Sequence, residues 1–449
     1  MRFFRPISAA ALLLVCAMPA LAQEPSAWFF KSRLEVRANY RDSHEERVAL
    51  KFKFPLSFLP VGQTVGFEET VDAGHHLELS VAQLQLDAGY GRWFAARAKV
   101  HVQDKYRRNP TSEDKKFDAD ELWLQVGQRP EFLDLPTGTS FFLLAGKAPK
   151  MERQPTRLLE SYGLAATAFN RFEDVMAMVG GSVGRHVYWR FQASSGNPFY
   201  FRDPNALAGD NGIKLLLTDH PDPRLKSGFP ILYNAETEGY TIKTDNLQLG
   251  EGLGYRWQRA DQNGGVDVIA FHYRRNLADR QQLTGTFYGA DIDLLDGPAD
   301  AAGNPIASLP IHGRVKDERG ARLYAEYYGG TLIAQYTKQA AAGLGRKGYE
   351  VEGGYKLPWS FGPSIRGESL VQYIQPAVRW SALQNDFRAA ANKSYVAPSV
   401  WWPWTKIDYG VRVGLAKGVD VTAEYSKHNV GTPRKLDLNE MLVTLRVRI

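Results

Sequence analysis

Three short stretches of the chain match patterns that elsewhere carry chemistry. Gly180-Gly181-Ser182-Val183-Gly184 has the spacing of a nucleophile elbow, which lifts a serine on a sharp strand-to-helix turn. Gly343-Leu344-Gly345-Arg346-Lys347-Gly348 has the letters of a dinucleotide fingerprint, and His75-His76 offers two imidazoles to a metal. None sits where its chemistry needs it. A strand pattern, not a helix, follows the serine, so a hairpin turn is expected there. A strand opens at Tyr349, so the glycine-rich run reads as a loop, and no carboxylate or cysteine stands at a supporting distance from the histidine pair. No Ser-His arrangement emerges, so neither an enzyme nor a cofactor is expected.

Cations do recur with a regular spacing. Lys31, Arg33 and Arg37 alternate with Phe30, Leu34, Val36 and Ala38, and Lys51 and Lys53 with Leu50, Phe52 and Phe54. Arg97 and Lys99 alternate with Phe94, Ala96, Ala98 and Val100; Arg190 and Arg412 repeat the arrangement, and Lys147 and Lys150 flank Pro149. A period of two puts such residues on one face of a strand and the apolar residues on the other. If those faces enclose water, the cations add into a basic stripe that attracts anions. Taken singly, each is equally read as a solvated group paired with an acid. Acidic residues at Asp291, Asp293, Glu350, Glu352, Asp420 and Glu424 fall on the same inward faces.

The strands that position these residues are plainest at the end of the chain. Ile407, Tyr409, Val411, Val413 and Leu415 alternate with polar partners, and Val419, Val421, Ala423 and Tyr425 follow after a tight connection. Met441, Val443, Leu445, Val447 and Ile449 carry the same rhythm to the last residue. Strands this long, with charges on the face opposite the apolar one, fit a transmembrane barrel better than a soluble sandwich. Arg2 and Arg5, the apolar run Ile7 to Leu14 and Ala20-Leu21-Ala22 read as a signal peptide over 1–22 that is cleaved, leaving a single β-barrel domain over 23–449.

Composition agrees. Removing Arg2 and Arg5 lowers the formal charge from +6 to +4, too small an excess to argue for nucleic acid, and the one cysteine, Cys16, leaves with the signal, so disulfides hold nothing together. No later apolar run of about 18 residues exists, so a membrane can be crossed only by strands closed into a barrel.

The expected fold is all-β: a transmembrane antiparallel barrel of about 16 to 18 strands, even in number, without a plug domain. Strands read at 30–41, 47–54, 77–90 with a bulge near Ala82, 93–103, 122–126, 141–147, the hairpin 173–194, then 246–258, 265–274, 285–294, 320–328, 331–338, 348–357, 366–380 and the last three. Trp401-Trp402-Pro403-Trp404 reads as an interfacial girdle. Counting back from the end makes 416–418, 358–364 and 329–330 short turns on one side and 427–436, 381–403 and 295–317 long loops on the other, but upstream of 245 the parity breaks. One strand hidden in 195–245 and another in 59–76 would mend it; 195–245 otherwise reads as a long loop or constriction region.

The chain resembles the phosphate-selective porins of type O and P, within the wider Gram-negative porin superfamily. The resemblance rests on Arg33-Leu34-Glu35-Val36-Arg37-Ala38-Asn39-Tyr40, on Phe117 to Leu124 followed by Leu144-Ala145-Gly146-Lys147-Ala148-Pro149, on Asn170 to Gly181, on Ala377-Val378-Arg379-Trp380 and on the closing strands. It implies an outer-membrane location, passive passage of phosphate or other small anionic solutes, contact with outer-membrane lipid and a homotrimer. Under it, Lys31, Arg33, Arg37, Lys51, Lys53, Arg97, Lys99, Lys147, Lys150, Arg190 and Arg412 line an anion path. Ile449 departs from the aromatic residue that usually closes the family. Glu121-Leu122-Trp123, Gly146-Lys147 and Glu152-Arg153 also resemble the alginate-export porins, which would make the protein an exporter of an anionic polysaccharide.

Overall fold

The alternation in the sequence closes on itself as a ring. The computed structural model describes residues 28–44, 47–51, 65–69, 74–91, 93–102, 117–129, 138–154, 156–170, 173–196, 199–201, 231–233, 247–276, 284–287, 290–293, 315–341, 344–365, 367–386, 403–430 and 436–449. In chain order the wall strands are β1 (Trp28–His44), β2 (Gly74–Tyr90), β3 (Phe94–Val102), β4 (Phe117–Gly127), β5 (Ser140–Pro149), β6 (Glu173–Val183), β7 (Val187–Ser194) and β8 (Gln248–Gln258). They continue as β9 (Gly264–Asn276), β10 (Val315–Tyr327), β11 (Gly330–Ala341), β12 (Leu344–Tyr355), β13 (Glu368–Asn385), β14 (Trp404–Leu415), β15 (Val419–Val430) and β16 (Leu436–Arg448). Each pairs antiparallel with its neighbour in sequence, and β16 pairs with β1 from Glu35↔Arg448 to His44↔Asn439. That last ladder leaves the wall without a free edge.

Polarity is inverted relative to a soluble protein. Along β14, Ile407, Tyr409 and Val411 face outward and are exposed, while Lys406, Asp408 and Arg412 point inward and are buried. Leu122, Leu124, Leu143, Leu249, Leu253, Val351 and Val378 repeat this around the wall. An apolar belt of that extent needs an apolar solvent. At the end of the wall closed by short turns, Trp28, Trp93, Trp257, Tyr327, Tyr328, Tyr355 and Trp359 form an exposed aromatic ring.

Several details correct the sequence reading. Among the described residues the ring closes with sixteen strands, within the expected 16 to 18, and Phe361–Ile365 adds only a short hairpin to β13; the extra strands expected in 59–76 and 195–245 do not join the ring, since Val65–Glu69, Phe199–Phe201 and Ile231–Tyr233 pair outside it. Arg47–Lys51 pairs with Val65–Glu69 in a separate hairpin, so the second wall strand is Gly74–Tyr90 and not 47–54. Thr284–Phe287 and Ala290–Asp293, together with Phe199–Phe201 and Ile231–Tyr233, form a small four-stranded sheet outside the wall, so Asp291 and Asp293 are not wall residues. β9 therefore pairs directly with β10, and β7 with β8. With those extra strands set aside, the parity runs unbroken back to β1, and the turns at Gly91 and Gly184 join the short-turn end. A few alternating residues cannot distinguish a wall strand from a hairpin in a loop. The rest of 195–245 lies outside the described residues.

The expected bulge sits at Ser80, where the register steps from Arg37↔Val81 to Ala38↔Leu79. Residues 344–348, read as a loop, open β12. Trp404 belongs to the inward phase, buried at 2% exposure with its indole N–H donated to His428 Nδ1 at 2.9 Å, so it is no part of a girdle; Trp401 and Trp402 lie outside the described residues.

Closure of the ring has a direct test. Ala38 and Leu445 face each other across the β1–β16 ladder, at a separation a disulfide can bridge. Ala38→Cys with Leu445→Cys should oxidise to a species of faster mobility on a denaturing, non-reducing gel, whereas Ala38→Cys with Tyr409→Cys on β14 should not. Equal cross-linking of both pairs would contradict the ladder.

Candidate functional site

The feature that defines the interior is the connection from β5 to β6. Rather than leaving the wall as a loop, its residues 150–154 and 156–170 fold inward, and all but a few are buried. The excursion starts beneath β7–β10. Lys150 Nζ donates to Glu318 Oε1 at 2.5 Å and to the Phe169 carbonyl at 3.0 Å, and it stands 3.0 Å from Glu152 Oε1. Tyr273 donates its hydroxyl to Glu152 Oε2 at 2.6 Å, and Arg190 Nη1 donates to the Met151 carbonyl at 2.9 Å. Met151 packs into an apolar cluster with Trp123, Phe142, Leu144, Met176, Met178, Tyr188, Ile269 and Phe271, all on inward faces.

The segment then reaches the far wall, where carboxylates receive its backbone. Glu352 Oε1 accepts from the N–H groups of Leu158 and Leu159 at 2.7 and 2.9 Å. Glu424 accepts from the N–H of Glu160 and, at 3.2 Å, of Ser161. On the return, Ser381 Oγ accepts from Leu164 N–H at 3.1 Å and Glu350 from Ala166 N–H at 3.0 Å, before a π-helical turn, Ala166–Asn170, leads back to β6. Close approach requires glycine on both sides: a Cβ on Gly163 would lie 2.1 Å from Glu350 Oε2, and one on Gly348 2.5 Å from the Phe169 ring. Arg379 locks the arrangement. Fully buried, it donates to the Ser161 carbonyl and hydroxyl at 2.9 and 2.6 Å and pairs with Asp408 at 2.8 Å.

At the tip, Glu160 meets the cations of three wall strands. Its carboxylate lies 2.7 Å from Arg412, 2.8 Å from Arg446 and 3.7 Å from Arg37. Burial alone would raise the pKa of this carboxyl. The guanidiniums of Arg37, Arg446, Arg412 and Arg157 outweigh that and hold it well below the usual carboxylate range. Lys150 behaves conversely: burial would lower its pKa, but Glu152 and Glu318 raise it above that of an ordinary lysine. Around the tip, the five guanidiniums of Arg37, Arg157, Arg412, Arg446 and Arg448 face the three carboxylates of Glu35, Glu160 and Asp420. Arg157 stacks 3.6 Å from the centre of the Tyr162 ring, and its buried Nη1 has no hydrogen-bond partner.

The residues expected from the sequence are distributed unevenly. Arg37, Lys150, Arg190 and Arg412 converge on the inward segment. Lys31 and Arg33 are exposed near the short-turn end of β1. Arg97 and Lys99 face inward and are each matched on their own side of the wall, Arg97 by Asp87 at 2.6 Å and Lys99 by Asp120 at 2.9 Å, as the alternative reading of each cation taken singly has it. Lys147 shares its register with outward-facing Leu122 and with Val175, and so stands on the outer face. Lys51 ends the hairpin outside the wall, and Lys53 lies outside the described residues.

The motif residues serve the fold. The Ser182 hydroxyl hydrogen-bonds with Ser140 Oγ at 2.8 Å and with the Gly138 carbonyl, beside the β6–β7 turn, and His75 accepts or donates at 3.0 Å with the Tyr40 hydroxyl. Sequence reasoning missed the segment itself. Its one legible sign was the run of more than twenty residues between Pro149 and Glu173, too long for a turn.

No family model matches the chain, and no curated protein does. Solved structures with a similar outline include the channel DcaP of Acinetobacter baumannii, with 8% identity over 94% of this chain and 97% of that one and a TM-score of 0.48. OmpF of Salmonella typhi in complex with daunomycin has 10% identity, 94% and 97% coverage and a TM-score of 0.49. OprB of Pseudomonas putida has 9% identity, 94% coverage of both chains and a TM-score of 0.47. The fold assignment rests on the strand pairing above, not on these likenesses.

Two measurements probe the seat of the segment. Arg379→Ala leaves Glu352 without its cation, and Asp408 with Lys406 alone, in a dry site and should destabilise the barrel by about 3–5 kcal/mol, read as an earlier loss of the unheated gel species in a temperature series. For Glu160 the sign follows from its lowered pKa: the charged form stabilises the fold, fully above the ordinary carboxyl pKa near 4.3 and less as pH falls from there toward the native value. The stability gap between the native protein and Glu160→Gln should be flat above about pH 5 and shrink below pH 4. A gap that grows on acidification would contradict the assignment.

Proposed function

We propose that the protein is a passive diffusion channel of a Gram-negative outer membrane, selective for small hydrophilic anions of the phosphate class. The closed wall, its apolar outer belt and its aromatic ring support placement in a bilayer, with the short turns toward the periplasm and the long loops outside, as barrels of this type are built. The observation that carries the selectivity is the excess of guanidinium over carboxylate at the tip of the inward segment.

Exposure indicates where a solute passes. Across β10–β15 the inward side chains are covered by the segment, Arg379 at 0% exposed among them, whereas Arg37 on β1 and Arg97 on β3 keep 20% and 30% of their side chains open. The water-filled path therefore runs beside β1–β3, with the arginine cluster of β1, β14, β16 and the segment tip as its edge. A low-dielectric wall focuses that positive potential into the remaining space. Glu350, Glu352 and Glu424, whose charge would oppose anions, are turned toward backbone N–H groups of the segment instead. A lumen spanned by its own chain favours diffusion of small solutes over export of a polysaccharide such as alginate.

Reversal potentials under a potassium chloride gradient across a planar bilayer test this reading. The native channel should favour chloride, less so at high salt because charges are screened within about 8 Å at physiological ionic strength. Arg33→Glu with Arg157→Glu should move the reversal potential toward the cation side. A native channel selective for cations, or a double variant with an unchanged potential, would sink the anion assignment.

A further inference from the structure

The outer face carries charges that a lipid-facing wall has no structural use for. Near the long-loop end, direct ladder partners bring Arg319 of β10 opposite Lys338 of β11, and Lys338 opposite Lys347 of β12. Their sequence neighbours Glu318, Gln339 and Arg346 point inward and are buried, so the three cations share the outer face. Neighbouring strands lie about 4.8 Å apart, and like charges directly opposite each other destabilise a sheet. Here three stand in line.

Little on the wall relieves them. Lys347 pairs with Asp386 at 2.9 Å, but Arg319 and Lys338 have no carboxylate within ion-pair distance among the described residues. Asp317, which lies opposite Arg274 one register step farther out, turns to His272 at 2.9 Å and leaves that arginine likewise without an acidic partner. One step toward the middle of the wall, the same strands carry Tyr336 and Tyr349, with ring centres 5.1 Å apart, followed by outward-facing Leu332 and Val351. Cations, then aromatic rings, then aliphatic side chains is the order in which a bilayer presents phosphate, interface and acyl chain.

We infer that Arg319, Lys338 and Lys347, with Arg274 above them, form a binding site for the phosphorylated head group of an outer-leaflet lipid, whose acyl chains lie against Tyr336, Tyr349 and Val351. The site is separate from the lumen, since it faces the opposite side of the wall. Placing it at the outer leaflet rests on the membrane reading proposed above. Charge complementarity selects the ligand class: phosphate oxygens inserted along the row replace cation–cation repulsion with charge-assisted hydrogen bonds, which arginine makes in bidentate form. A soluble anion fits less well, because the cations border an apolar surface that only an amphiphile covers.

The test uses the full-length barrel purified in non-ionic detergent, with retained lipid counted by native mass spectrometry. The probes are a bis-phosphorylated acylated glucosamine disaccharide and its dephosphorylated form. The native protein should retain the phosphorylated probe at least about tenfold better, and Arg319→Gln with Lys338→Gln should abolish the preference while leaving the unheated gel species and channel conductance intact. Equal retention of the two probes, or an undiminished preference in the variant, overturns the site. Displacement by inorganic phosphate at equal concentration overturns the choice of a lipid, and loss of an oligomer in the variant would assign the row to contact between copies. If the native protein neither shows heat-modifiable mobility nor inserts into bilayers, the membrane reading fails first and the lipid site falls with it.

Discussion

The capture of backbone N–H groups by carboxylates of the wall is the interaction on which the interior depends. A chain segment that leaves a strand and enters the lumen presents amides that no ladder satisfies, and an unsatisfied buried amide is expensive. Glu350 and Glu352 of β12 and Glu424 of β15 meet five of those amides, and Ser381 of β13 meets one more. The carboxylates are in turn desolvated, which Arg379 offsets by reaching both Glu352 and Asp408. Acids, amides and guanidinium form one network, so the path of the segment and the charge of the lumen are two aspects of the same arrangement.

This network explains how acidic inner faces coexist with a basic edge. Counted along the sequence, Glu350, Glu352, Asp420 and Glu424 balance the cations of the early strands. In space they are spent on the segment or on arginines at its tip, while Arg37 of β1 and Arg97 of β3 keep part of their side chains open. Net charge along a strand says little about a channel; the distribution of its satisfied and unsatisfied groups says more.

How much of this was legible follows from periodicity. A side-chain repeat of two survives in the sequence wherever one face meets an apolar solvent, so β3, β9, β14 and β16 could be placed within a residue or two, while β15 runs on to Val430 through residues read as the start of a loop, and the phase slip in β2 announced the bulge at Ser80. The same rule fails where both faces of a short strand lie outside the wall: 47–51 and 290–293 alternate as well as a wall strand does, yet pair elsewhere. Trp404 was misassigned for a related reason, since its side is set by the phase of Lys406 and Asp408 and not by its being aromatic. The inward segment left almost no trace. Its contacts run from Leu158 to Glu352 and from Glu160 to Arg446, separations of hundreds of residues that no local pattern encodes.

One mechanical consequence follows from where the segment is fastened. It is rooted in β5 and β6, gripped near β9 and β10 by Lys150 and Glu152, and tied again to β12–β16 on the other side. A ring of sixteen strands is stiff along its hydrogen bonds but soft toward flattening, because each strand can hinge slightly against the next. A strut that joins opposite arcs resists that deformation, holding the cross-section round under lateral pressure from the bilayer. The same covalent piece that narrows the opening thus keeps its width constant.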